Sequence, residues 1–256
     1  MAEFTSYRPG TACWVDLSST DIKASTDFYG QMFGWMPEYD ERPESGGYGM
    51  FRRNGKAVAG IGPTMMEGQR TTWNTYFATE DAAKTAQAVR EADGTVVMEP
   101  MEIMNEGTMA VFQDPTGAYV SVWQSDRHPG AQLAGEPGTL NWVELLTRDG
   151  ESAMRFYHRV FGWGADTHKM GQKPYTTFTM AGETIAGMMQ MDDSFPSNVP
   201  PHWLVYFGTA NLDATMEQAR GLGARQLYGP KTVPNMGRFA VFADPHGASF
   251  AAWERA

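Results

Sequence analysis

Short alternating apolar and polar segments in this chain are interrupted by stretches with helical periodicity. Residues 13–19 (CWVDLSS) alternate and carry aromatic and β-branched side chains, a pattern that predicts a strand. Residues 22–33 have helical spacing and are followed by Gly34, a common helix end. Two strands are predicted next, over 48–53 and 57–61, around an Asn54-Gly55 hairpin turn. The order then restarts, with a strand over 72–81, a helix over 82–92 and a closing strand over 120–124.

The whole pattern occurs twice. Trp14-Val15-Asp16-Leu17 returns as Trp142-Val143-Glu144-Leu145, and GTMAVFQDPTGA at 107–118 returns as GRFAVFADPHGA at 237–248. Matched blocks in the same order indicate an internal duplication. We therefore predict a first domain over 1–128, a linker over 129–138 and a second domain over 139–256. Each half contains two strand–helix–strand units, so the chain has four modules.

Two further repeated motifs suggest a family. Phe28-Tyr29 followed by Phe33-Gly34-Trp35 returns as Phe156-Tyr157 followed by Phe161-Gly162-Trp163. Together with the repeated G-x-x-x-V-F-x-D-P-x-G block, the chain resembles the vicinal oxygen chelate superfamily of glyoxalases, bleomycin-resistance proteins and extradiol dioxygenases. More narrowly, it resembles a two-domain actinobacterial glyoxalase or hydroxylase branch, some members of which belong to aromatic polyketide antibiotic pathways. The resemblance implies an α+β fold of tandem paired βαβββ modules, with mixed sheets curled around clefts.

Enzymes of that superfamily bind a divalent metal through His and Glu side chains that point into the cleft. Alignment of the motifs places Trp14 and Trp142 at the first-strand His positions, and less securely Trp73 and Trp203 in the other two modules. The Glu position falls on Ser121 in one half and on Ala251 in the other. An indole N–H only donates, and a hydroxyl or methyl group does not replace a carboxylate ligand. We therefore expect no metal and no cofactor.

Strand alternation predicts what lines the clefts instead. Trp14 and Asp16 share one face of the first strand, as Trp142 and Glu144 do in the repeat. Aromatic side chains favour flat apolar ligands, and a cleft carboxylate is able to pair with an amine or act as a base. The simpler reading of each indole is core packing. The candidate ligand-binding residues are Trp14, Asp16, Trp73, Phe77, Tyr119, Ser121, Trp123, Trp142, Glu144, Trp203, Phe207 and Trp253, and the candidate catalytic residues are Asp16 and Glu144.

The charge and residue composition of the chain limit the kinds of partner that it is expected to bind. Twenty Lys and Arg against thirty Asp and Glu give a net charge of −10, which argues against binding to nucleic acid or anionic membranes. The single cysteine, Cys13, excludes a disulfide framework. The first residues lack the zones of a signal peptide, and no apolar run is long enough to span a membrane. We expect a cytoplasmic protein that is a monomer or a homodimer.

The leading hypothesis is a metal-free binding protein for a hydrophobic aromatic small molecule, such as a polyketide antibiotic or an intermediate. It would confer resistance by sequestration, or assist the synthesis or tailoring of an antibiotic. The alternative is an enzyme, either a glyoxalase-type lyase or isomerase or a cofactor-free oxygenase or hydroxylase, with Asp16 or Glu144 as general base. The sequence leaves open the identity of the ligand, whether it is turned over, and which modules form each cleft.

Overall fold

The computed structural model describes residues 3–65, 68–170 and 173–256, which form two mixed sheets of eight strands each. The first half contains β1 (Ala12–Ser19), α1 (Ile22–Phe33), β2 (Met36–Tyr39), β3 (Gly49–Arg53), β4 (Lys56–Pro63), β5 (Thr72–Ala78), α2 (Ala82–Glu91), β6 (Thr95–Ile103), β7 (Gly107–Gln113) and β8 (Tyr119–Ser125). The second half contains β9 (Leu140–Thr147), α3 (Gly150–Phe161), β10 (Gly164–Met170), β11 (Lys173–Met180), β12 (Glu183–Gln190), β13 (His202–Thr209), α4 (Leu212–Gly221), β14 (Arg225–Val233), β15 (Gly237–Ala243) and β16 (Ser249–Arg255). A short 3₁₀ helix at Pro43–Ser45 precedes β3.

The two sheets have the same topology. The first has the order β2-β3-β4-β1-β5-β8-β7-β6, and the second repeats it as β10-β11-β12-β9-β13-β16-β15-β14. The first strand of each module pairs in parallel with its last strand, and the two modules of a half join through the antiparallel pair of their first strands. The predicted paired βαβββ modules are thus confirmed. The expected curled sheets are not: each sheet is open, because its two outermost strands pair with only one neighbour.

The repeated sequence blocks produce repeated helix ends. Asp21 caps α1 by accepting a hydrogen bond from the backbone N–H of Ala24, and Asp149 caps α3 in the same way from Ser152. Both helices end at a glycine in the left-handed region, Gly34 at φ 69° and Gly162 at φ 71°. These stops turn the chain so that Trp35 and Trp163 enter the core.

The two halves pack against each other through the helix-bearing faces of their sheets. One large cluster of buried side chains contains residues of all four helices and of both sheets. Aromatic rings from the two halves contact each other directly across it: Trp73 lies 5.0 Å from Phe207 and Phe77 lies 5.1 Å from Trp203, measured between ring centroids. The opposite face of each sheet carries its own separate cluster.

The beginning of the predicted linker packs against the first half, and its end bonds to the second half, where Gly138 donates its backbone N–H to the carbonyl oxygen of Gly208. Ala131 donates its backbone N–H to the carbonyl oxygen of Cys13, and Gln132 donates to that of Ala57. Tyr7 donates its hydroxyl to the carbonyl oxygen of Ala131 at 2.6 Å. These bonds hold the segment against β1 and β4, beside the face that points away from the second half. No helix of the described residues is long and apolar enough to cross a membrane.

Candidate functional site

The register of β1 against β5 decides which side chains share the face of the first sheet that points away from the second half. Trp14 pairs with Tyr76, Asp16 with Asn74 and Ser18 with Thr72. Cross-strand partners lie on the same side of a sheet. We call this surface the first concave face; the name denotes only the side of the sheet that points away from the other half, since the sheet itself is open. Trp14 and Tyr76 belong to its buried cluster.

Asp16 is the polar centre of the first concave face. Its carboxylate accepts hydrogen bonds from the Tyr76 hydroxyl at 2.9 Å, the Tyr48 hydroxyl at 3.2 Å and the Asn74 side-chain amide at 2.8 Å. The Trp14 indole N–H donates to the same Tyr48 hydroxyl at 3.0 Å. A buried carboxyl is stabilised when such donors replace water. Tyr48 thus links the Trp14 indole to the Asp16 carboxylate.

The second sheet repeats this arrangement on the corresponding surface, which we call the second concave face. Glu144 accepts hydrogen bonds from the Tyr175 hydroxyl at 2.8 Å and the Tyr206 hydroxyl at 3.2 Å. The Trp142 indole N–H donates to the Tyr175 hydroxyl at 3.2 Å. Leu204 stands where the first half has Asn74, so Glu144 receives two donors instead of three.

Burial changes the acidity of both carboxyls. Desolvation raises the pKa of Asp16, and the hydrogen bonds from Asn74, Tyr76 and Tyr48 oppose that rise. Desolvation raises the pKa of Glu144 to about 7, opposed by the bonds from Tyr175 and Tyr206. A carboxyl that titrates near neutral pH has the acidity expected of a general acid or base.

A glycine on the neighbouring strand makes room for each tyrosine. Gly60 on β4 is paired with Asp16, and a Cβ there would lie 1.9 Å from the Tyr48 hydroxyl oxygen. Gly187 on β12 is paired with Glu144, and a Cβ there would lie 2.0 Å from that of Tyr175. Ala59-Gly60 in the first half returns as Ala186-Gly187 in the second, and the space that each tyrosine needs explains the glycine.

Four predicted lining residues lie on the other side of the sheets. Trp73, Phe77, Trp203 and Phe207 are buried in the cluster between the two halves, and the expectation that they line the clefts is wrong. Trp73 donates its indole N–H to the Tyr29 hydroxyl, and Trp203 donates to that of Tyr157. The reason is that both faces of β5 and β13 are covered, which leaves the sequence without a clear alternation.

The closing strands place most of their predicted residues on the concave faces. Ser121 pairs with Tyr76 and Trp123 with Ala78 across β5 and β8, and both are buried there. Trp253 is partly exposed and packs against the cluster of the second concave face. Tyr119 is about half exposed at the start of β8 and lies outside the cluster of the first face.

The concave faces do not offer the donor set of the divalent metal that the resemblance implies. The buried acids Asp16 and Glu144 already accept hydrogen bonds from protein donors. Trp14 and Trp142 present indole N–H groups, which only donate. Over the described parts of the chain, no three His, Cys, Asp or Glu side chains lie together in a way that could hold a metal ion. The residues present do not fit that metal.

Sequence reasoning missed the phenols that hold the two acids. Tyr48 and Tyr175 stand at corresponding positions of the two halves, but the pattern gives them no role until the fold places both hydroxyls on the carboxylates. Tyr76 and Tyr206 occupy equivalent positions of β5 and β13. The signal available in the sequence was a tyrosine hydroxyl that recurs in both halves together with the recurring acid.

Curated relatives match almost the whole chain. CFP32 of Mycobacterium tuberculosis, named as a glyoxylase, is 40% identical over 257 residues, covering 98% of this chain and 97% of that protein. The anthracycline biosynthesis protein DnrV of Streptomyces peucetius is 37% identical over 268 residues, covering 98% of this chain and 95% of its own. DauV of Streptomyces sp. strain C5, also an anthracycline biosynthesis protein, is 36% identical over 265 residues, with the same coverage.

Solved structures share the fold at low identity. The Mn(II)-bound glyoxalase of Novosphingobium aromaticivorans superposes with a TM-score of 0.66 at 18% identity, covering 96% of this chain and 82% of that one. The 2,2',3-trihydroxybiphenyl 1,2-dioxygenase of Sphingomonas wittichii superposes with a TM-score of 0.65 at 14% identity, covering 96% and 91%. A family model matches residues 13–122 and 139–251. The chain therefore belongs to the Glyoxalase/Bleomycin resistance protein/Dioxygenase superfamily.

Proposed function

We propose that this protein binds a hydrophobic aromatic small molecule, such as an aromatic polyketide antibiotic or an intermediate, without using a metal. It would serve as an accessory protein in making or tailoring that molecule, or in resistance by sequestering it. The observation that carries the proposal is the repeated concave-face group of one indole, two phenols and one buried acid, with no metal donor set among the residues that the structure describes.

The chemistry of the faces suits such a ligand. Aromatic side chains stack on flat rings, with about 0.5–1.5 kcal/mol per pair beyond the area buried. Methionines such as Met50, Met109 and Met189 pack against the two concave clusters, and their flexible thioethers adapt to ligands of different outline. The relatives DauV and DnrV carry the name of anthracycline biosynthesis, which supports an aromatic polyketide as the ligand class.

Titration with a panel of planar polycyclic compounds, including an anthracycline, tests the proposal through the quenching of tryptophan fluorescence. We expect saturable quenching that is unchanged after dialysis against a metal chelator. Absence of saturable quenching across the panel would refute ligand binding, and loss of binding after chelation would refute its independence from metal.

A second candidate function is catalysis by Glu144. Its pKa near 7 and its contact with two phenolic hydroxyls suit proton transfer to or from a bound substrate. The naming of CFP32 as a glyoxylase is compatible with this role. Glu144→Gln separates the two functions. If the protein only assists pathway enzymes, the variant leaves the turnover of the ligand by those enzymes unchanged. If Glu144 is catalytic, the variant still binds the ligand but no longer converts it.

A further inference from the structure

The two concave faces differ in what already covers their indoles. In the first half, Trp14 is 3% exposed and Trp123 is 7% exposed. Their equivalents in the second half, Trp142 and Trp253, are both partly exposed. The same repeated position is therefore closed in one half and open in the other.

His128, the last residue before the predicted linker, closes the first face together with Ala131 of the linker. The imidazole of His128 stands edge-on to Trp14, with ring centroids 4.5 Å apart at 85°, and also contacts Trp123 at 5.7 Å. The Trp123 indole N–H donates to the carbonyl oxygen of His128 at 2.8 Å. Tyr7 and Ala131 pack into the same cluster. In the first half, an aromatic ring of the protein itself thus covers the indole rings.

The second face carries a continuous row of rings instead. Tyr228 on β14 lies 5.9 Å from Phe239 on β15, and Phe239 lies 6.2 Å from Trp253 on β16, at interplanar angles of 38° and 28°. Tyr206, which holds Glu144, lies 5.7 Å from Phe239. The outermost ring, Tyr228, is 53% exposed and Trp253 is partly exposed, whereas Phe239 between them is 7% exposed. We call Tyr228, Phe239 and Trp253 the aromatic row.

The first half has no such row at the equivalent positions. Met98 pairs with Val111 as Tyr228 pairs with Val241, and Met109 pairs with Trp123 as Phe239 pairs with Trp253. Methionine stands twice where the second half has an aromatic ring. The second half therefore presents a partly exposed ring surface that the first half lacks.

We infer that the ligand-binding site is the second concave face alone, where a planar polycyclic molecule stacks on the exposed rings of the aromatic row, Tyr228 and Trp253. This inference rests on the proposed function and makes it specific. The net charge of −10 favours a neutral or cationic ring system over an anionic one. In the first half, His128 takes the place that the ligand takes in the second.

Isothermal titration of the full chain with 9-aminoacridine, a planar tricyclic cation, tests the site. We expect one molecule bound per chain, and weaker binding of anthraquinone-2-sulfonate, a tricyclic anion of similar size. Tyr228→Ala removes one exposed ring and should raise the Kd roughly three- to ten-fold. Met98→Ala, at the equivalent position of the first half, and Leu227→Ala, the exposed neighbour of Tyr228, should leave the Kd unchanged.

The outcomes separate this inference from the proposed function. Two bound molecules per chain, or a Kd raised by Met98→Ala and not by Tyr228→Ala, would overturn the assignment to the second face while binding itself stands. Equal or tighter binding of the sulfonate would overturn the charge preference. Absence of saturable binding by any planar probe would refute the proposed function, and this inference with it.

Discussion

The hydroxyl of Tyr29 in the first half donates a hydrogen bond of 2.9 Å to the carboxylate of Asp244 in the second half. The reciprocal bond joins Tyr157 of the second half to Asp114 of the first at 3.0 Å. Each aspartate also accepts backbone N–H groups of its own turn, including those of Ala118 and Ala248. The repeated F-Y and D-P-x-G motifs therefore hold the two halves together rather than forming the concave sites.

Removal of the first of these hydroxyls should destabilise the protein. Tyr29→Phe leaves the buried Asp244 carboxylate without this donor and the Trp73 indole N–H without its acceptor. Loss of a buried hydrogen bond to a charged group costs about 1.5–3 kcal/mol. Urea unfolding measures the change. Tyr39→Phe, at a partly exposed tyrosine bonded to Thr26, is the control and should cost under about 1 kcal/mol. Equal costs would contradict the account.

Stability should depend on pH through Glu144. Its pKa is about 7 in the folded protein against an ordinary value of 4.5, so between these values the folded state holds a proton that the unfolded state has released. The contribution is present in full below about pH 4.5 and is lost as the pH rises through about 7, with an upper bound of about 3 kcal/mol.

Glu144→Gln isolates that contribution because the amide stays neutral throughout. Urea unfolding at pH 5 and pH 7.5 measures the free energy of unfolding of both proteins. The free energy of unfolding of the variant, relative to that of the natural protein, should rise with the pH. Asp16 is present in both proteins, so its titration cancels in the comparison. A difference between the two proteins that stays constant with pH would show that Glu144 titrates normally.

The glycines beside the two acids should not tolerate a methyl group. Gly60→Ala would drive a Cβ against the Tyr48 hydroxyl and displace it from Asp16, at a cost of about 1–3 kcal/mol. Gly221→Ala, at a helical glycine with open space around it, is the matched control and should be neutral or stabilising by up to about 1 kcal/mol. Thermal unfolding of both variants distinguishes a steric effect from a general response to Gly→Ala.

His128 should shield the indoles of the first half from solvent. His128→Ala removes the ring that contacts Trp14 and Trp123, so acrylamide should quench tryptophan fluorescence more strongly. His246→Ala, in the turn after Asp244, removes an imidazole elsewhere and should leave the quenching slope unchanged. An identical slope in all three proteins would mean that His128 does not cover the indoles.

The repeat made much of the architecture predictable. Matched blocks such as Trp14 to Leu17 and Trp142 to Leu145 indicated two copies of one fold, and the alternation in β1 assigned Asp16 to the face opposite Val15 and Leu17, which is where the structure has it. Both copies must satisfy the same packing constraints. A pattern of residues that occurs in both halves is therefore stronger evidence for the fold than the same pattern in one half.

The face of β5 was not predictable from its own residues. The face of β5 that points towards the other half of the protein is buried, so it needs large apolar side chains such as Trp73 and Phe77. The opposite, concave face carries Tyr76. When both faces are buried, apolar residues no longer mark one side. The role of His128 was hidden for a different reason, because it acts through a contact with Trp14, which lies 114 residues earlier in the chain (128 − 14).

Native mass spectrometry of the purified chain with an added planar polycyclic compound tests the central claim most directly, because one spectrum reports ligand and metal together. The account predicts a mass increase equal to one ligand per chain, with no transition metal retained. A chain that stays unliganded at saturating compound, or one that carries a stoichiometric transition metal, would contradict it.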